Sequence, residues 1–588
     1  MAGIKKILIA LILTLMWCSI SLAATTYHVT QGGGVGANPL SATQFNALSG
    51  DKAGDIYYFS GTFTTRITVY ISGTNGSPVT LDGYQAGDCD PINSVCSSSA
   101  KLDAGMHVGN QIAGPDYIIV QDFRMQNGSS TDGCFVFYPY IAGNDDQSHI
   151  DHIIVRRNYV YQVRNVLFYY YNGRHVIIEG NKFVHFGQGG FNATQAINII
   201  QVNNALFTGN EFGHDQDLYP ATGADSPNIV EIHGCYNQLW EYNDVYGSPT
   251  YGANLGFKEW GPAGNIIVRF NKVHDSDQVG ITWGGGTDEL NYFYVYGNYI
   301  YNNGQSAAWV FDNADLSYWW SNIMSDNGQH AFVTWQRGQG VPDTILIINN
   351  TFSRNGKLNE VEAGRGGVTL SAGSDINIKN NLFYNNRPGG ASSMYHQIFE
   401  LGQSPVLEHN TMWHDSDSGG KLYWYYSGGL RNLATMQGTY SRENVVPKGV
   451  VTENLSIRFT NPDGADTTYG TDDDDYTITS IGTIGADLSQ CFTEAVDLSG
   501  GDAWMETNSG YGRYIEPCLN DALDPNNTDW TTTPPTVAVI DRDTYGWARG
   551  AYASTGCIEG SGTETCTVSQ TGAGADYSAA DFNALTGD

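Results

Sequence analysis

Residues 265–273 read NIIVRFNKV. A short apolar strand pattern runs into Asn271, and a second apolar position follows at Val273. The same signal, asparagine followed by one residue and then an apolar one, recurs along the chain. It appears as RNYV at Asn158, GNKF at Asn181, GNEF at Asn210, YNDV at Asn243, GNYI at Asn298 and SNIM at Asn322, then as NNTF at Asn350, NNLF at Asn381 and HNTM at Asn410. The ten asparagines, Asn271 included, lie on average 28 residues apart. Ahead of each runs a short strand such as HVIIEG. After each come a turn and another strand, such as AINIIQV, NIVEIHG or GVTLSAG.

Self-similarity at this period predicts a solenoid. Leucine-rich repeats are the rival, but the LxxLxLxxN pattern is missing. Strand–turn–strand units with an asparagine at one corner resemble the right-handed parallel β-helix, where stacked Asn side chains satisfy backbone groups left open at a bend. The expected fold class is therefore all-β, a right-handed parallel β-helix with an irregular C-terminal cap, and the Asn column is assigned no chemistry. Composition agrees: 71 glycines, 12% aromatic and 15% charged residues suit short strands joined by turns. The expected organisation is a signal peptide at 1–24, the β-helix at 25–450 and a long last coil and cap at 451–565. Residues 566–588 read as the start of a second copy of the N-terminal cap, because FNALTGD at 582–588 repeats FNALSGD at 45–51.

The leader has a basic start at Lys5 and Lys6, an apolar run from Ile7 and small residues at 21–24, which is the pattern of a secretory signal. Export, to the outside or the periplasm, follows, with no membrane insertion after cleavage. The formal charge is −32, and removing Lys5 and Lys6 takes it to −34. Such a chain repels nucleic acid and anionic membranes. It also repels an acidic polysaccharide unless a cation or a local basic spot intervenes. In an exported chain Cys89–Cys96, Cys557–Cys566 and Cys491–Cys518 are expected disulfides, with Cys134 and Cys235 single in the core. A monomer is expected.

Equivalent residues of successive coils stack about 4.8 Å apart. Aligning the strands that follow the asparagines gives AINIIQV, NIVEIHG, NLGFKEW, VGITWGG and AAWVFDN. Alternation turns Glu231 and His233 outward on the coil before Lys258, with Gly256 leaving a hollow. Asn198 is outward one coil earlier and Asp312 two coils later. The loop HDQDLYPATGADSPN brings Asp215, Asp217 and Asp225 upstream of Glu231, and four carboxylates can hold Ca²⁺. This set suits β-elimination of a uronic-acid polymer: a base removes the C5 proton while the neighbouring carboxylate is neutralised. Lys258 is the expected base and His233 the second choice or a proton relay. Glu231 with the three aspartates is the expected metal site. Asn198, Trp283 and Asp312 are the expected substrate contacts. Outward aromatic rings would also stack on sugar rings.

GFKEWGPAGNIIVRFNKVHD, residues 256–275, is similar to the lysine–turn–strand–Asn stretch of β-helical polysaccharide lyases. The resemblance is to lysine-dependent pectate lyases and to the alginate lyase/chondroitinase B family, and it implies that Lys258 is a Brønsted base. The chain departs from both patterns. Trp283 and Gly284 stand where the second family carries an arginine, its paired glutamates become Glu231 with His233, and the aspartates are spread more widely than in pectate lyases. The alternative is a non-catalytic glycan-binding or surface-adhesion β-helix. A different carbohydrate enzyme on the same fold is the third reading, and the GHG run of polygalacturonases is missing.

Overall fold

The computed structural model describes residues 24–84, 99–109, 115–126, 135–138, 150–161, 168–185, 195–214, 228–247, 252–258, 263–285, 290–336, 338, 340–358, 366–379, 381–387, 397–408, 410–414, 423–425 and 429–440, with short pieces between 459 and 519. The leader to residue 23, the loop of Asp215, Asp217 and Asp225, and the repeated C-terminal segment lie outside the described residues, and no expected disulfide lies wholly within them. Cys235 is buried as a free thiol.

The chain is a right-handed parallel β-helix, as the repeat predicts. Each coil contributes three strands. One coil runs Asn228–His233, Tyr236–Glu241, Asp244–Tyr246, and the next Ala253–Lys258, Ala263–Arg269, Lys272–His274. Successive coils pair in parallel, strand on equivalent strand.

The asparagine corner explains the spacing. All ten predicted asparagines are buried. Each Nδ2 donates to Oδ1 of the asparagine one coil on, at 2.9–3.1 Å, from Asn158 through to Asn410. Asn271 also donates to the carbonyls of Trp240 and Arg269, and its Oδ1 accepts the backbone N–H of Asn243. The residue before each ladder asparagine from Asn158 to Asn350 turns the chain with a positive φ, as at Tyr242 (53°) and Phe270 (53°). This conformation is costly for side chains with a Cβ, and the ladder supplies the bonds that hold it. A second ladder, Asn303–Asn327–Asn355–Asn386, ends on Gln397 and closes the corner after the third strand. The sequence reading did not find it.

The core is a set of inward columns. Val230, Leu255, Ile281, Ala308 and Phe332 occupy equivalent positions on five coils. Rings stack between coils, as Phe207 on Trp240 at 3.8 Å. The second strand of the Lys258 coil is apolar on both faces: Ile266 and Val268 belong to the core, and Ile267, which points the other way, is only 1% exposed. That is why stretches such as NIIVRF read as continuous apolar runs. The first strand instead alternates, and its outer face carries the polar side chains of interest.

Candidate functional site

Glu231 pairs across the coils with Gly256, and His233 with Lys258. Alternation turns these residues away from the core, which takes Ile232 and Phe257. Lys258 reaches back diagonally to Glu231. Its Nζ lies 2.9 Å from Oε1 of Glu231, and Nε2 of His233 lies 3.1 Å from the same oxygen. Lys258 is 36% exposed at its side chain, Glu231 8% and His233 4%. Burial pushes the Glu231 carboxyl up, but the His233 contact and the Lys258 charge outweigh it and hold the pKa at about 2. Glu231 is thus a carboxylate at neutral pH.

A cleft of about 450 Å³ opens beside Lys258 and extends towards later coils, with Asn228, Thr282, Trp309, Phe311 and Trp335 among its lining residues. Thr282 pairs with Gly256 on one side and Trp309 on the other. Trp309 and Trp335 meet edge to face at 5.8 Å and 82°, and Trp335 is 43% exposed.

Asn198 occupies its expected place, paired with Glu231 one coil earlier. Two expected substrate contacts need correction. Trp283 faces the core, fully buried and stacked on Phe293 at 4.2 Å, because the register that sets Thr282 beside Gly256 turns Trp283 inward with Phe257. Asp312 is a buried corner residue with φ 55°, and its Oδ1 accepts the backbone N–H of Gly338 at 3.0 Å. Sequence reasoning missed Asn228 and Thr282. The alternation that found Glu231 also points to Thr282, had it been carried one coil further.

Of the expected calcium ligands only Glu231 is among the described residues, and its Oε1 already faces an ammonium group and an imidazole. A cation there competes with Lys258, so the described part of the set does not form a calcium site by itself. A second cluster sits at a corner of earlier coils. Oδ1 of Asp151 is 3.0 Å from Nδ1 of His152 and 2.7 Å from Nδ1 of His175. The two imidazoles stack at 4.6 Å, and His152 stacks on Tyr117. A metal binds an imidazole nitrogen in the ring plane, and two stacked rings cannot share one ion without unstacking. Both histidines have a positive φ at equivalent positions, so the cluster works as a strut for that bend.

A sequence profile of the right-handed β-helix region matches residues 228–430. No curated protein sequence matches the chain. Among solved structures, the chain is similar to the A-module of the mannuronan C-5 epimerase AlgE4 of Azotobacter vinelandii, with 13% identity over 69% of this chain and 99% of that one and a TM-score of 0.36. It is also similar to the periplasmic alginate epimerase AlgG, with 10% identity over 65% and 73% of the two chains and a TM-score of 0.34. The GH136 lacto-N-biosidase from Eubacterium ramulus gives 11%, 59%, 67% and 0.35 in the same order. No helix among the described residues is long and apolar enough to cross a membrane.

Proposed function

We propose that this protein is exported and acts on a polysaccharide, and that it cleaves a uronic-acid polymer by β-elimination with Lys258 as the base. The observation that carries this reading is the position of Lys258. It is the one basic side chain among the lining residues of the described cleft, and it is held on a buried carboxylate. In the reaction, Nζ in its amine form takes the C5 proton. The C–H electron pair becomes the C4=C5 double bond, the C4–O bond breaks, and the leaving oxygen takes a proton from water. Glu231 positions the lysine, and His233, buried behind it, positions Glu231. That burial keeps His233 from the substrate and argues against it as the base. No step is routed through calcium.

The test is ultraviolet absorbance of the unsaturated product on pectate, alginate and glycosaminoglycans, with and without chelator. Wild-type protein is expected to give product on at least one polymer, and Lys258→Met none. Product from Lys258→Met would move the base elsewhere. Loss of product on chelation would restore calcium to the mechanism. Silence of the wild type across the panel would favour the second reading, a non-catalytic glycan-binding protein, which the edge-to-face tryptophans in the cleft support.

A further inference from the structure

We infer that the cleft wall formed by Asn228, Thr282 and Trp309, beside Gly256, is a binding pocket for the substrate carboxylate, built from uncharged hydrogen-bond donors. The inference deepens the elimination reading and rests on it for the identity of the substrate. Three polar atoms of the cleft wall lack a hydrogen-bond partner: Nδ2 of Asn228, Oγ1 of Thr282 and the indole Nε1 of Trp309. Asn228 is 3% exposed and Thr282 7%. Buried polar atoms are nearly always paired, so three in one cleft wall point to an absent partner.

The geometry says what kind of partner it is. Oδ1 of Asn228 accepts the backbone N–H of Ala253 at 2.7 Å, which fixes the amide so that Nδ2 is the free end. That end can only donate. The Trp309 indole can only donate, and the Thr282 hydroxyl can donate. A Cβ built on Gly256 would stand 3.4 Å from Nδ2 of Asn228 and 3.5 Å from Oγ1 of Thr282. Donors from the coil before and the coil after therefore stand on either side of Gly256, with Trp309 one coil further on. Donors without matching acceptors suit an anion, and shielding from water strengthens each bond.

The pocket also resolves two difficulties of the chemistry. The β-elimination needs the uronate carboxylate neutralised, and a lysine that must act as an amine cannot also supply the positive charge. Uncharged donors take over that work and leave Lys258 for the proton. They also give a polyuronate a local foothold on a chain of formal charge −32.

The test fills the hollow without disturbing the fold. Gly256→Ala adds a methyl at ordinary contact distance, and Thr282→Val removes one hydroxyl at nearly constant shape. Binding is measured by calorimetry in Lys258→Met protein with chelator present, using galacturonate, alginate and glycosaminoglycan oligosaccharides against an uncharged oligosaccharide of equal length. The expected result is binding of at least one uronate oligomer, weakened on the order of tenfold or more by each substitution, with little binding of the uncharged sugar. Equal binding of the uncharged sugar, unchanged affinity in Gly256→Ala, or no uronate binding at all would overturn the pocket. The outcomes separate the two claims. Uronate binding that Gly256→Ala abolishes, without product from the wild type, keeps the pocket and removes the reaction. Product formation indifferent to Gly256→Ala does the reverse.

Discussion

Asn271 and Asn228 are both buried asparagines, and the chain uses them in opposite ways. Asn271 shares its two amide hydrogens among three acceptors, the carbonyls of Trp240 and Arg269 and Oδ1 of Asn298, and sits at the centre of a ladder whose links are all closed. Asn228 spends its carbonyl oxygen on one backbone N–H and leaves its amide nitrogen without a partner on a cleft wall. The corner is complete without anything from outside. The outer face of the first strand is incomplete in the same residue type, and the carboxylate inferred above would complete it. Polar residues of a solenoid are therefore to be sorted by whether their bonds close within the fold, not by residue type.

Two substitutions test this division. Lys258→Met in the open column is expected to take product formation below detection, a loss on the order of a thousandfold or more, equivalent to at least about 4 kcal/mol of barrier, while the thermal midpoint stays within a few degrees. Asn271→Ala in the closed column is expected to do the reverse. It removes three donor bonds and orphans the Asn243 backbone N–H, so stability should fall by about 3 kcal/mol in a urea titration, with the activity of the remaining folded protein unchanged. Activity loss in a folded Asn271→Ala protein, or a collapsed fold in Lys258→Met, would break the contrast.

The two columns were also unequally legible in the sequence. The ladder recurs ten times, and repetition turned a weak local signal into a fold. Glu231, His233 and Lys258 followed from it because alternation and register transmit position from coil to coil. Trp283 failed because a one-residue error of facing moves a side chain from cleft to core, and an outward tryptophan is not distinguishable by type from a stacked one. Asp312 failed for a different reason. The strand ends one residue earlier, at Phe311, and a left-handed corner takes over, which alternation does not foresee. Asn228 and Thr282 were passed over because an unpaired hydrogen-bonding atom is a property of three-dimensional neighbours, which no spacing rule reports.

Acid sharpens the contrast at Glu231. Its carboxyl titrates at about 2 in the folded chain against 4.5 as the ordinary value. A lowered folded value means stability that is fully present above about 4.5 and is lost as pH falls through about 2. The contribution is of the order of 2 kcal/mol, and urea titrations between these limits should show it. Glu231→Gln should flatten that part of the profile. An unchanged slope would mean that Lys258 and His233 do not hold the carboxylate as the distances indicate.

His274, one coil on from His233 and in the third strand of its coil, gives the smallest effect, with the opposite sign. Both its nitrogens face carboxylates, Nε2 at 2.8 Å from Asp244 and Nδ1 at 2.8 Å from Asp275, and its ring stacks between Tyr246 and Tyr301. Burial lowers its pKa, but the two carboxylates more than reverse this and raise it from 6.5 to about 9. A raised folded value gives stability that is fully present below pH 6.5 and disappears as pH climbs through about 9. Both carboxylates are more than a third exposed, so water screens the pair and the expected contribution is only about 1 kcal/mol. His274→Gln should remove the alkaline loss and leave the acid limb of Glu231 intact. A histidine satisfied on both sides then behaves as part of the scaffold, and if His274→Gln instead altered the pH dependence of product formation, the third strand would have to be counted with the cleft.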